Sequence, residues 1–156
     1  MQPLVGARVI ETYPVLTMIA LGWMLPDSRP TGRLPKYNPE RKQTFERADW
    51  VYVCGHAIGT FIDHGLFGIA EWLAVASNLP APRKSDQDRL DACLCLLVAL
   101  HLIDAKHCLM VGNPQSGYIV VPDGVELRGE LEERCLRTAR EPSEWVRAFR
   151  LVAATV

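Results

Sequence analysis

The stretch KSDQDRLDACLCLLVALHLIDA, residues 84–105, decides the fold more than any other part of the chain. Ser85 and Asp88 stand three residues apart, close to the pattern of a capping box, and an apolar run follows them. The stretch therefore predicts a helix from Ser85 to its end. Between Ala92 and Leu100 this helix is apolar on nearly every side, which predicts burial all round. A central helix packed against a sheet would satisfy that requirement.

Working outward from this helix gives the other elements of a helix-rich α/β domain. Four prolines and a glycine make Pro26–Pro39 a long loop. Trp50–Cys54 fits a strand as well as a helix. The patterns predict a strand at Val5–Glu11, helices at Pro14–Leu25, Thr44–Phe61 and Leu66–Ala76, a β-hairpin of Cys108–Val111 and Tyr118–Val121, and C-terminal helices at Leu127–Arg140 and Ser143–Ala153.

Length and composition limit the class of protein. With 156 residues, 49% hydrophobic and 22% charged, the chain is expected to be one globular domain. A formal net charge of -1 excludes binding to nucleic acid through a global excess of positive charge, so such binding needs a local patch. The apolar runs are too short to span a bilayer, and the five cysteines are an odd number. We therefore predict a cytoplasmic protein with reduced thiols and no membrane partner.

Three carboxylates are the candidate catalytic and metal-ligating residues. Glu11 ends the predicted first strand, and Asp88 and Asp91 lie in the opening turns of the central helix. Asp91 shares a helical stripe with Cys95 and Val98, so it is expected to face the core. An ionised carboxylate there needs a compensating partner or a metal ion. The three together could hold Mg²⁺ or Mn²⁺, and a pair of such ions can hydrolyse a phosphodiester.

Simpler interpretations of the same residues stay open. Asp88 in a first helical turn needs only the helix dipole to explain it. Asp91 could instead form a buried ion pair with Arg89 or Arg8. The spacing of these carboxylates alone does not decide between a purely structural role and a metal site.

Four blocks of the sequence belong together: Val9–Pro14, Arg33–Pro39, Lys84–Cys93 and Gly117–Pro122. They resemble the bacterial proteins grouped as domain of unknown function family 429, which are predicted nucleases of the ribonuclease H-like fold. The resemblance extends over most of the chain in matching order. In that superfamily a glutamate ends the fourth strand and Asp-x-x-Asp-Ala opens the last catalytic helix, and Glu11 and Asp88–Ala92 match these positions.

The resemblance implies a metal-dependent nuclease or phosphodiesterase, but the first catalytic aspartate of the family has no counterpart. Only ten residues precede Glu11, so the chain resembles the C-terminal portion of a larger ribonuclease H-like domain. The expected activity is therefore weak or absent in this chain. The alternative is a non-catalytic module that binds nucleic acid or protein. The open sheet edge at Val5–Glu11 would also favour a homodimer.

Basic residues in and after the long loop are the candidate nucleic-acid contacts. Arg33, Lys36, Arg41 and Lys42 surround Tyr37, and interleaved cations and an aromatic ring suit a phosphate backbone and a stacked base. Lys84, just before the acidic helix, is expected to clamp a phosphate. A solvated loop without function is the competing interpretation.

Overall fold

The computed structural model describes residues 9–151. Helices contain about half of these residues, and the expected helix-rich α/β class is confirmed. The elements, in chain order, are α1 (Pro14–Ala20), α2 (Arg47–Asp63), α3 (Phe67–Ser77), α4 (Lys84–Ile103), β1 (Cys108–Asn113), β2 (Gly117–Pro122), α5 (Val125–Arg137), α6 (Pro142–Trp145) and β3 (Val146–Phe149).

Residue contacts divide the chain into two compact units, with the boundary inside α4. The helical unit contains residues 22–97, and the sheet unit contains the described residues 9–21 and 98–151. None of the helices within the described part of the chain is both long enough and apolar enough to cross a bilayer.

The helical unit is built on α2 and α3, which pack against each other. Trp50 is fully buried, and its indole Nε1 donates a hydrogen bond to the carbonyl oxygen of Ala76 at 2.8 Å. Gly65, at φ +69°, makes the turn between the two helices. The residues Trp50–Cys54 are therefore helical, because Trp50, Val53 and Cys54 repeat at helical spacing and bury one face.

The sheet unit contains one antiparallel sheet among the described residues, with strand order β2–β1–β3. The predicted hairpin is confirmed: Leu109 pairs with Val121 and Val111 with Ile119. Val98 and Leu102, at the end of α4, pack on the inner face of the sheet against Cys108 and Val120. This end of α4 has the helix-on-sheet packing that its apolar sequence predicts.

Two boundary predictions are wrong, and each has a physical reason. The first helix ends at Ala20, because Gly22 adopts φ +71°. Residues Ser143–Ala153 do not form a helix where they are described: one turn, α6, is followed by β3, which pairs with β1. This long-range pairing overrides the helical pattern. The predicted strand Val5–Glu11 lies largely outside the described residues, and residues 9–11 have no regular secondary structure.

The prediction that α4 is buried all round is also wrong for the part that begins at Ala92. Ala92 is exposed, and Cys93 and Cys95 are only half-buried. The buried face of this helix consists instead of residues at helical spacing, including Leu90, Leu94 and Leu97. All five cysteines are free thiols, and burial raises the pKa of Cys54 to about 12 and that of Cys108 to about 11.

The hairpin depends on a close backbone approach at Gly112, where φ is +117°. A Cβ atom there would lie 2.4 Å from the carbonyl oxygen of Gly117. We expect Gly112→Ala to reduce the free energy of unfolding by about 1–3 kcal/mol from strain alone, and further from this clash. Gly117→Ala is the matched control, since φ is +110° there but the space is open. Equal losses in urea denaturation would contradict the role of the close approach.

Candidate functional site: a fixed basic loop beside the start of α4

The loop that precedes α2 is fixed by a buried carboxylate, which sequence analysis missed. Asp49, in the first turn of α2, is 4% exposed. Its two oxygens accept hydrogen bonds from the Arg33 guanidinium at 2.5 and 3.1 Å, and Oδ2 also accepts one from the backbone N–H of Lys36 at 2.7 Å. One side chain therefore holds two points of the loop. The signal in the sequence that could have revealed this carboxylate is the position of Asp49, a charged residue directly before the apolar segment that begins at Trp50.

The charges of this pair support each other. Burial by itself would raise the pKa of Asp49, but the Arg33 guanidinium and the Lys36 N–H outweigh burial and hold it below its usual value. The hydrogen bond with Asp49 in turn raises the pKa of Arg33. Arg33, predicted to bind phosphate, is therefore already engaged by a carboxylate.

A second hydrogen bond ties the loop to α4. The hydroxyl of Tyr37 donates to Asp91 Oδ1 at 2.7 Å, and Tyr37 is only 6% exposed. The amide of Gln87 lies 3.4 Å from Asp91 Oδ2. The buried Tyr37 ring is not available to stack on a base, so that part of the sequence prediction is wrong. Asp91 has the compensating partner that its half-buried position requires, and this partner is a phenol rather than Arg89.

The electrostatics of Asp91 are those of a carboxylate partly removed from water. Burial raises its pKa, and the nearby charge of Asp88 raises it further. The Tyr37 hydroxyl and the Lys84 ammonium act in the opposite direction without cancelling the effect. Asp91 therefore takes up a proton more readily than a solvated aspartate does.

The other predicted metal ligands lie in different surroundings. Asp88 is exposed and forms an ion pair with Lys84, whose Nζ lies 2.6 Å from Asp88 Oδ1. Glu11 belongs to the sheet unit, where its side chain is exposed and its backbone oxygen accepts a hydrogen bond from Val120. Across residues 9–151, no group of three or more His, Cys, Asp and Glu side chains could hold a metal ion. The helical unit by itself supplies Asp91, already bonded to Tyr37, and Asp88, already paired with a cation.

The remaining predicted cations are available to a ligand. Lys36, Arg41 and Lys42 are exposed, and within the described chain no carboxylate lies within ion-pair distance of them. The backbone N–H groups of Thr44 and Phe45 donate hydrogen bonds to the Arg41 carbonyl oxygen, so Arg41 and Lys42 lie on a defined turn. The Lys36 carbonyl oxygen accepts a hydrogen bond from the Glu46 N–H. The site is thus a loop with a fixed backbone and three exposed cations that form no ion-pair contact with a described carboxylate.

Replacing Asp49 tests whether this ion pair fixes the loop. We expect Asp49→Ala to lower the free energy of unfolding by about 3 kcal/mol, because Arg33 and the Lys36 N–H then lose a shared buried partner. Asp27→Ala is the control, since it removes an exposed pair with Arg29. Its effect should be small. Equal losses for both variants in urea denaturation at pH 7 would show that burial of the Asp49 pair contributes nothing extra.

The raised pKa of Asp91 predicts a pH-dependent gain from Asp91→Asn. The wild-type protein loses stability as pH rises from the ordinary carboxyl range through the raised pKa of folded Asp91. The neutral amide avoids this loss and can still accept the Tyr37 hydrogen bond. We therefore expect Asp91→Asn to melt above the wild type at pH 7, with the difference vanishing near pH 3. Asp88→Asn, at an exposed position, should show no such gain. A lower melting temperature for Asp91→Asn at every pH would contradict the prediction.

Comparison with known proteins adds no relative from which the site could be interpreted. No protein-family model matches the chain, and neither a curated protein nor a solved structure matches it. The chemistry of the site is therefore argued from its own residues.

Proposed function

We propose that this chain is a nucleic-acid-binding module that holds the phosphate backbone on Lys36, Arg41 and Lys42. The observation that carries the proposal is that these three exposed cations lack carboxylate partners in the described structure, on a loop fixed by Asp49 and Asp91. A fixed loop loses little conformational freedom when it binds, so more of the electrostatic attraction appears as affinity.

The arrangement favours binding without base recognition. Lysine and arginine side chains that contact phosphate carry no sequence information by themselves. Tyr37 is buried, so stacking on this ring does not contribute. We therefore expect similar affinity for duplexes of different sequence and a strong dependence on salt.

A metal-dependent nuclease of ribonuclease H-like type is the second candidate. Asp91 favours it, because a half-buried carboxylate with a raised pKa is typical of a functional site and Asp88 and Asp91 match the superfamily's helix pattern. In that function Asp88 and Asp91 would hold Mg²⁺ or Mn²⁺. We place it second because Asp88 and Asp91 already have protein partners.

Salt-dependent binding to a labelled 20-base-pair DNA duplex tests the first candidate. We expect Lys36→Ala/Arg41→Ala/Lys42→Ala to weaken binding at least tenfold at 50 mM salt and to reduce the slope of log K against log salt by roughly 2–3. The control, Lys106→Ala/Arg147→Ala/Arg150→Ala, removes the same charge from exposed positions in the sheet unit. Equal weakening in both triple variants would contradict a specific loop, and so would absence of binding by the wild type.

The same duplex distinguishes binding from catalysis. With Mn²⁺ added, the binding module should leave the DNA intact, and Asp91→Asn should bind it as well as the wild type does. Cleavage by the wild type that disappears in Asp91→Asn, with binding unchanged, would instead support the nuclease.

A further inference from the structure

The sheet unit contains a cleft that is separate from the basic loop. It lies between the far end of the β1–β2 hairpin and the C-terminal part of α5 together with α6, and its volume is about 750 Å³. This volume is within the range of pockets that bind small organic molecules, roughly 300–1,000 Å³. We call it the hairpin cleft.

The wall of the hairpin cleft is largely apolar. Val111 and Ile119 contribute from the hairpin, Leu131 from α5, and Val146 from β3, while Trp145 adds the largest ring. Such a wall favours a ligand with an apolar body, because contact with it removes apolar surface from water. A flat aromatic body would match the face of the indole ring.

Arginine side chains supply the positive charge along the cleft. Three arginines line it, against the single carboxylate of Glu11. Arg134 and Arg137 form ion pairs with glutamates one helical turn earlier on α5, so their charges are largely compensated. Arg140 differs from both, since it has no carboxylate partner among residues 9–151.

The surroundings of Arg140 hold its guanidinium in place without neutralising it. It donates a hydrogen bond to the Thr138 hydroxyl at 3.0 Å. Its central carbon lies 4.8 Å from the centre of the Trp145 ring, within the range of a cation–π contact. The remaining guanidinium N–H groups are free to bind an acidic group, and such charge-assisted hydrogen bonds are stronger than neutral ones.

We propose that the hairpin cleft binds a small organic anion with a flat apolar body. Its carboxylate, sulfonate or phosphate group bonds to the Arg140 guanidinium, and its body packs on the apolar wall beside Trp145. This site is independent of the basic loop, so either proposal can fail alone.

Two fluorescent probes that share an aromatic body test the proposal. 8-Anilinonaphthalene-1-sulfonate carries an acidic group, and N-phenyl-1-naphthylamine lacks it. We expect the wild type to bind the sulfonate at least tenfold more tightly than the amine. Arg140→Ala should weaken the sulfonate at least tenfold and change the amine by less than twofold, because only the sulfonate uses the guanidinium.

Arg150→Ala is the control, since Arg150 is exposed in the same unit and does not line the cleft. It should leave both affinities unchanged. If Arg140→Ala melts well below the wild type, Arg140→Gln, which can still donate to Thr138, gives the same comparison. Equal sulfonate affinity in the wild type and the Arg140 variants would overturn the proposal. Loss of both probes together in a folded Arg140 variant would also overturn it.

Discussion

The ion pair between Arg33 and Asp49 is the constraint on which the helical unit's loop depends. Ordering a residue's backbone costs about 1–2 kcal/mol, and the segment before α2 has little regular structure to offset that cost. Its prolines reduce the freedom lost on folding, and the carboxylate of Asp49 supplies two charged hydrogen bonds and one backbone bond at a single point. The position of Tyr37, and hence of its bond to Asp91, follows from this anchor.

The bond from Tyr37 gives Asp91 a structural purpose that competes with a catalytic one. A carboxylate that accepts a short bond from a buried phenol has one oxygen oriented by the protein. A metal ion at that oxygen would have to displace the phenol or share the oxygen with it. Its raised pKa follows from burial, and burial is what loop docking produces. The docking of the loop is therefore enough to explain the raised pKa of Asp91, without a catalytic role.

The periodicity of apolar residues predicted the elements that depend on local sequence. It failed for elements whose secondary structure depends on contacts with residues far away in the chain. Helices α2, α3 and α4 and the hairpin were predicted because their apolar spacing and turn residues are local signals. The strand β3 was missed because its structure depends on pairing with β1, far away in the chain. At the site, Asp91 was correctly expected to need a partner, but Tyr37 lies 54 positions away. Asp49 was missed for the same reason, since the partner that allows its burial comes from a separate segment.

Ion pairing separates the basic side chains that stabilise the fold from those available to a ligand. Arg33 presents a planar fork that bonds both oxygens of one carboxylate, a geometry that lysine does not offer. Arg134 and Arg137 are likewise paired with carboxylates one turn away. Lys36, Arg41, Lys42 and Arg140 lack such partners in the described structure. Counting basic residues in the sequence therefore overstates the charge open to an anion. Whether a given cation is open to an anion depends on whether the fold places a carboxylate beside it.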